Sequence, residues 1–120
     1  MRIAVFGAGG VGGYFGGRLA QSGENVVFIA RGEHLQALRT QGLRVDSVKG
    51  DFMLQSVQAT DDPVKVGTVD VVLLGVKAWK VPEAAKDISP LIGPETFVVP
   101  LQNGVEAPNQ LAALLGSQHV

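Results

Sequence analysis

Residues 7–12 read Gly7-Ala8-Gly9-Gly10-Val11-Gly12, a GxGxxG pattern placed where a short apolar run, Arg2–Phe6, gives way to a helix-like segment. In that setting each glycine has a mechanical task. Gly7 makes the tight turn, Gly9 removes a Cβ from the path of a pyrophosphate, and Gly12 lets helix and strand approach closely. The free N–H groups and positive end of the helix then attract the phosphates. The plain alternative is a tight strand-to-helix turn that binds nothing. Gly13, Gly16 and Gly17 continue a small-residue face along the same helix. Each costs about 1 kcal/mol relative to Ala there, and close packing on a sheet is their simplest reason.

About twenty residues further on, where an acid would accept from a ribose hydroxyl, the sequence has Ile29-Ala30-Arg31. A guanidinium makes charge-assisted, bidentate bonds to a phosphate, so Arg31 points to a 2′-phosphate and to NADP(H) rather than NAD. A solvated arginine or an ion-pair partner is the alternative. Glu33, the nearest acid, falls in the first turn of the next helix, where a carboxylate suits the dipole whatever is bound. Lys77 follows the most apolar run of the chain, Val71-Val72-Leu73-Leu74-Gly75-Val76, and Asn103 follows the next strand in Leu101-Gln102-Asn103-Gly104. Taken singly these read as a strand-ending lysine and a turn or cap asparagine. Trp79 reads as an amphipathic side chain over a helix start, with adenine stacking as the alternative. His34 reads as a surface residue.

The elements that would bring these residues together alternate. Strands are expected at Arg2–Phe6, Asn25–Ala30, Asp70–Val76 and Thr96–Leu101, with helices near Gly10–Ser22, Glu33–Gln41, Pro82–Leu91 (interrupted or ended near Pro90) and Glu106–Leu115. Leu43–Val48 and Asp51–Val57, on either side of Lys49-Gly50, read as a hairpin or ragged edge strands. Such alternation predicts an α/β, Rossmann-type doubly wound, mostly parallel sheet with helices on both faces. Parallel strands share one carboxyl edge, so Gly7, Arg31, Lys77 and Asn103 should line one crevice.

Composition bounds the rest. The 120 residues suffice for one domain, 1–120, and no repeat or linker divides it. A formal net charge of −1, with 18% charged residues and no run of like sign, argues against nucleic acid or an anionic membrane as partner. No cysteine is present, and the two histidines, His34 and His119, lack metal-ligand spacing, so no metal site is expected. No window has the ~20 apolar residues of a membrane span, and the N-terminus makes a poor signal peptide, which points to the cytoplasm.

The opening RIAVFGAGGVGGYFGGRLAQSGENVVFIARGEHLQALRTQGLRV, with VKAW and LQNGVE, resembles the N-terminal domain of the ketopantoate reductase (2-dehydropantoate 2-reductase) family over essentially all of the chain. The resemblance implies an NADPH-dependent reduction of ketopantoate to pantoate, on the route to pantothenate and coenzyme A. It implies that Gly7, Ala8, Gly9, Gly10, Val11 and Gly12 bind the pyrophosphate. Arg31 and Lys77 would face the 2′-phosphate and adenine end, and Asn103 the nicotinamide and substrate. Family members are more than twice as long. The resemblance places their general-acid lysine and further substrate contacts in a C-terminal, mainly helical domain, so the sheet reads as truncated at its C-terminal end. The expectation is a domain that binds NADP(H) and turns over little alone, with an exposed apolar face that favours homodimers. Reduction of another 2-keto acid or carbonyl compound, and a non-catalytic nucleotide-sensing module, are the alternatives.

Overall fold

A computed structural model of the chain describes residues 1–7, 11–45, 51–75 and 81–101. Its centre is a five-stranded sheet in the order β5-β2-β1-β6-β7, built from β1 (Arg2–Phe6), β2 (Asn25–Ile29), β5 (Gln58–Thr60), β6 (Val69–Leu74) and β7 (Ile92–Pro100). Every pairing in it is parallel. A sheet covered on both faces needs strands that are apolar on both, which is why β1 and β2 read as continuous apolar runs rather than alternating ones. Ala4, Val27, Ile29, Val72, Leu74 and Val98 fill one face with α4 (Val81–Asp87) and the short 3₁₀ turn Ser89–Leu91. Ile3, Val5, Val26, Phe28 and Leu73 fill the other.

That second face receives α1 (Val11–Gln21) and α2 (Gly32–Gln41), the latter through Leu35 and Leu38. The small residues of α1 bring it down onto the strands. A Cβ on Gly16 would lie 2.6 Å from Val5 Cγ2 and 2.9 Å from Phe28 Cε1, and one on Gly17 would lie 2.8 Å from Phe52 Cε2. Close packing therefore accounts for both glycines. Phe52 belongs to the antiparallel pair β3 (Leu43–Val45) and β4 (Phe52–Leu54), the expected hairpin, which closes over α1. The Arg18 guanidinium lies 4.4 Å from the centre of the Phe52 ring and caps that contact.

Three details differ from the expectation. Gln58–Thr60 is a separate edge strand, β5, beside β2; only one of its three residues is apolar, so hydropathy gave no sign of it. A one-turn helix, α3 (Pro63–Val66), follows it. Its signals were present in Asp62, whose carboxylate accepts from Val64 N at 3.0 Å, in Pro63 at the first turn and in Gly67 after the last. β7 begins at Ile92 rather than Thr96, because residues 93–96 bulge between the Val69–Ile92 and Val71–Phe97 pairs. The buried Thr96 hydroxyl closes this bulge, accepting from Gly93 N and donating to Val69 O. The helix over Pro82–Leu91 is interrupted near Pro90 as expected: α4 ends at Asp87 and Pro90 falls in the 3₁₀ turn. The helix expected over 106–115 lies outside the described residues.

Candidate functional site

β1 is the central strand, and the chain leaves it in opposite directions. β2 and β5 lie on one side and β6 and β7 on the other, so the topological switch point falls between the carboxyl ends of β1 and β6, where open α/β sheets form their ligand crevice. The register puts these ends level, with Phe6 beside both Ile29 and Leu74, and Leu74 beside Pro100. The ladder runs one residue further. Gly75 N donates to Phe6 O at 2.8 Å, Leu101 N to Leu74 O at 2.9 Å, and Ala30 N to Thr60 O at 3.0 Å. Gly7, Arg31, Gly75 and Leu101 thus follow four adjacent strand ends on one edge.

At the switch point the contact is backbone on backbone. Gly7 has φ +89°, a conformation that a side chain strains. A Cβ on Gly12, in the first turn of α1, would collide with the Gly7 carbonyl oxygen. One on Gly75 would stand 2.7 Å from that same oxygen and 3.2 Å from Gly12 Cα. Gly7, Gly12 and Gly75 therefore pack three main chains together, and the start of α1 lies directly over the ends of β1 and β6. The first turn of α1 carries no acid, so nothing on it opposes an anion at the helix start. Gly75 was missing from the sequence-derived candidates. Its signal was a glycine inside an otherwise unbroken apolar strand run, which marks a close backbone approach.

Arg31 occupies the N-cap position of α2 in extended conformation (φ −134°, ψ 159°) and makes no side-chain cap. Its guanidinium is largely exposed at the crevice rim, with Nη2 3.4 Å from Asp87 Oδ2 at the end of α4. Glu33, in the first turn of α2, and His34 are both exposed. Ala8, Gly9, Gly10, Lys77, Trp79, Asn103 and His119 lie outside the described residues, and Val11 is described as the first residue of α1. No helix among the described residues is long and apolar enough to cross a membrane.

Comparison with known proteins agrees with this arrangement. The sequence matches the family described as ketopantoate reductase PanE/ApbA over residues 3–120. It is 35% identical over 120 residues to an uncharacterized oxidoreductase, YkpB, of Bacillus subtilis, covering all of this chain and 39% of that protein. It is 40% identical over 106 residues to the 2-dehydropantoate 2-reductase of Mesorhizobium japonicum, covering 88% of this chain and 32% of the relative. Among solved structures, the 2-dehydropantoate 2-reductase of Geobacter metallireducens superposes with a TM-score of 0.89 at 39% identity, over 97% of this chain and 38% of that one. A D-mandelate dehydrogenase solved with NADH and anilino(oxo)acetate superposes with a TM-score of 0.81 at 30% identity, over 95% of this chain and 37% of that one. The chain thus spans 32–39% of the length of these proteins. With the family matched over nearly every residue, and Gly7 and Gly12 packed at the switch point of a parallel sheet, the chain belongs to the ketopantoate reductase PanE/ApbA family.

Proposed function

We propose that this chain is the NADP(H)-binding part of an oxidoreductase that reduces 2-dehydropantoate to pantoate, the step that feeds pantothenate and coenzyme A synthesis. The observation that carries the reading is the glycine-lined switch point with a rim cation one residue beyond the second strand's last ladder bond. The fit to a dinucleotide is physical. Gly7, Gly12 and Gly75 let the start of α1 pack main chain on main chain over the sheet edge, which brings the free N–H end of the helix to the crevice, where a pyrophosphate would be held. Residues 7–12 would hold that pyrophosphate, and Arg31 with Lys77 the adenosine 2′-phosphate. Asn103 would orient the nicotinamide and the substrate.

A bound NADPH supplies the hydride. The alkoxide that forms on the substrate needs a proton from a general acid, a contribution of typically 10²–10⁴-fold in rate. The lysine that the family resemblance implies for this task belongs to the part of such proteins that this chain does not span. The residues spanned here are then the cofactor half of such a reductase, in the cytoplasm, with homodimers as the expected assembly. A second reading, reduction of a different 2-keto acid, is favoured by the likeness to D-mandelate dehydrogenase, whose structure holds NADH.

Calorimetric titration with NADPH and NADH, for the unaltered protein and Arg31→Ala, tests the cofactor reading. NADPH should bind at least tenfold tighter than NADH, and Arg31→Ala should remove that preference, as expected for charge-assisted bonds worth ~1.5–3 kcal/mol. Equal affinities, or a preference that survives in Arg31→Ala, would refute it.

A further inference from the structure

The ion pair between Arg31 and Asp87 joins residues 56 positions apart, from the end of β2 to the last turn of α4. Helix energetics do not explain the acid. A carboxylate in a last turn faces the negative end of the dipole and the free carbonyls there, where a cation such as the neighbouring Lys86 is the favoured choice. Nor does the pair explain itself as a strut. It is a single 3.4 Å contact between side chains 66% and 33% exposed, longer than the 2.7–2.9 Å typical of charge-assisted bonds, and such surface pairs add little stability. What Asp87 does have is a fixed position beside the guanidinium at the crevice rim.

We propose that Asp87 is a specificity-determining residue whose carboxylate repels a cofactor 2′-phosphate held on the same Arg31 and so limits the preference for NADP(H) over NAD(H). The inference rests on the reading of Arg31 given above. A guanidinium has five N–H donors, and Asp87 engages one nitrogen, so a phosphate can share the same cation while the carboxylate stays in place. Two anions then stand on one guanidinium, and their repulsion subtracts from the phosphate contact. At the several-ångström separation this imposes, in solvent-rich surroundings, one unit charge changes affinity by about three- to tenfold. NAD(H), which carries a hydroxyl at that position, feels no such term. Glu33, exposed on the first turn of α2, is the other acid close to Arg31 in sequence and serves as the comparison.

The test is a set of NADPH and NADH titrations on the unaltered protein, Asp87→Asn, Asp87→Ala, Glu33→Gln, Arg31→Ala and the Arg31→Ala/Asp87→Asn pair. Both Asp87 substitutions should tighten NADPH by about three- to tenfold and leave NADH within twofold. The gain should shrink in 0.5 M salt, where the Debye length falls to a few ångströms, and vanish when Arg31 is absent. Unchanged or weaker NADPH binding, an equal gain for NADH, or an equal gain from Glu33→Gln would each overturn the assignment to Asp87. If Arg31→Ala itself leaves the preference between the two cofactors intact, the cofactor reading falls and this inference with it. If Arg31→Ala abolishes the preference while Asp87→Asn gains nothing, this inference alone falls.

Discussion

The two sides of the switch point are built from the same unit, a strand, a helix and a parallel strand, yet they pack differently. In β1-α1-β2 the helix meets the sheet through Gly12 and Gly16, so main chain and small atoms lie against Val5 and Phe28. In β6-α4-β7 the helix meets it through Ala84, Ala85 and Ile88, ordinary side chains closing over Val72, Leu74 and Val98. The second arrangement is the cheaper way to bury a helix, since each glycine in α1 forgoes about 1 kcal/mol of helix propensity. Close side-chain packing accounts for Gly16 and Gly17, whereas Gly12, beside the crevice, is held by main chain, the Gly7 carbonyl.

Exchanging the two kinds of residue measures that contrast. Gly12→Ala drives a Cβ into the Gly7 carbonyl and should cost about 3 kcal/mol, at the upper end of overpacking effects, with loss of cofactor binding. Ala84→Gly, the reverse exchange in the other unit, should cost about 1–2 kcal/mol from propensity and a lost methyl and leave cofactor binding unchanged. Chemical denaturation with parallel titrations reads both, and equal costs would remove the distinction. Gly16→Ala sharpens it further from the crevice. Its Cβ meets the buried side chains of Val5 and Phe28 rather than backbone, so a net loss of about 1–2 kcal/mol is expected after the propensity gain. A stabilised Gly16→Ala would mean that α1 is not held down by its small residues.

The smallest effect is expected at the far margin of the second unit. β7 shows Phe97 and Val99, 55% and 42% exposed, on the face that α4 does not cover. Phe97→Ser should change stability by less than about 1 kcal/mol, within the range of strand propensities, while lowering self-association in sedimentation experiments. An unaltered sedimentation profile would show that this patch does not drive assembly.

Much of this was legible from residue order, for physical reasons that also explain the gaps. Strands buried on both faces announce themselves as apolar runs, so β1, β2 and β6 were readable within a residue or so, and the order of helices and strands fixed which edge would hold Gly7 and Arg31. β5 was not readable, because Gln58-Ala59-Thr60 gains its strand conformation from pairing with β2 rather than from its own apolar content. The early start of β7 depends on a bulge held by the Thr96 hydroxyl, a contact between residues that no periodicity reports. The partner of Arg31 lies 56 positions away, and only the fold brings Asp87 to it.

Arg31 also sits at the N-cap of α2, where Ser, Thr, Asp or Asn would accept a hydrogen bond from the helix's first turn and Arg makes none. On the function proposed above, the same position carries two demands that pull apart, one for a cation that reads phosphate and one for an acceptor that starts a helix. Arg31→Asp would satisfy the second, adding about 1 kcal/mol as a cap, while placing a ribose-reading acid where NAD(H) sites have one. If Arg31 sets cofactor choice as proposed, substitutions here are uneven: the step toward NAD(H) gains folding stability, and the step toward NADP(H) gives it up.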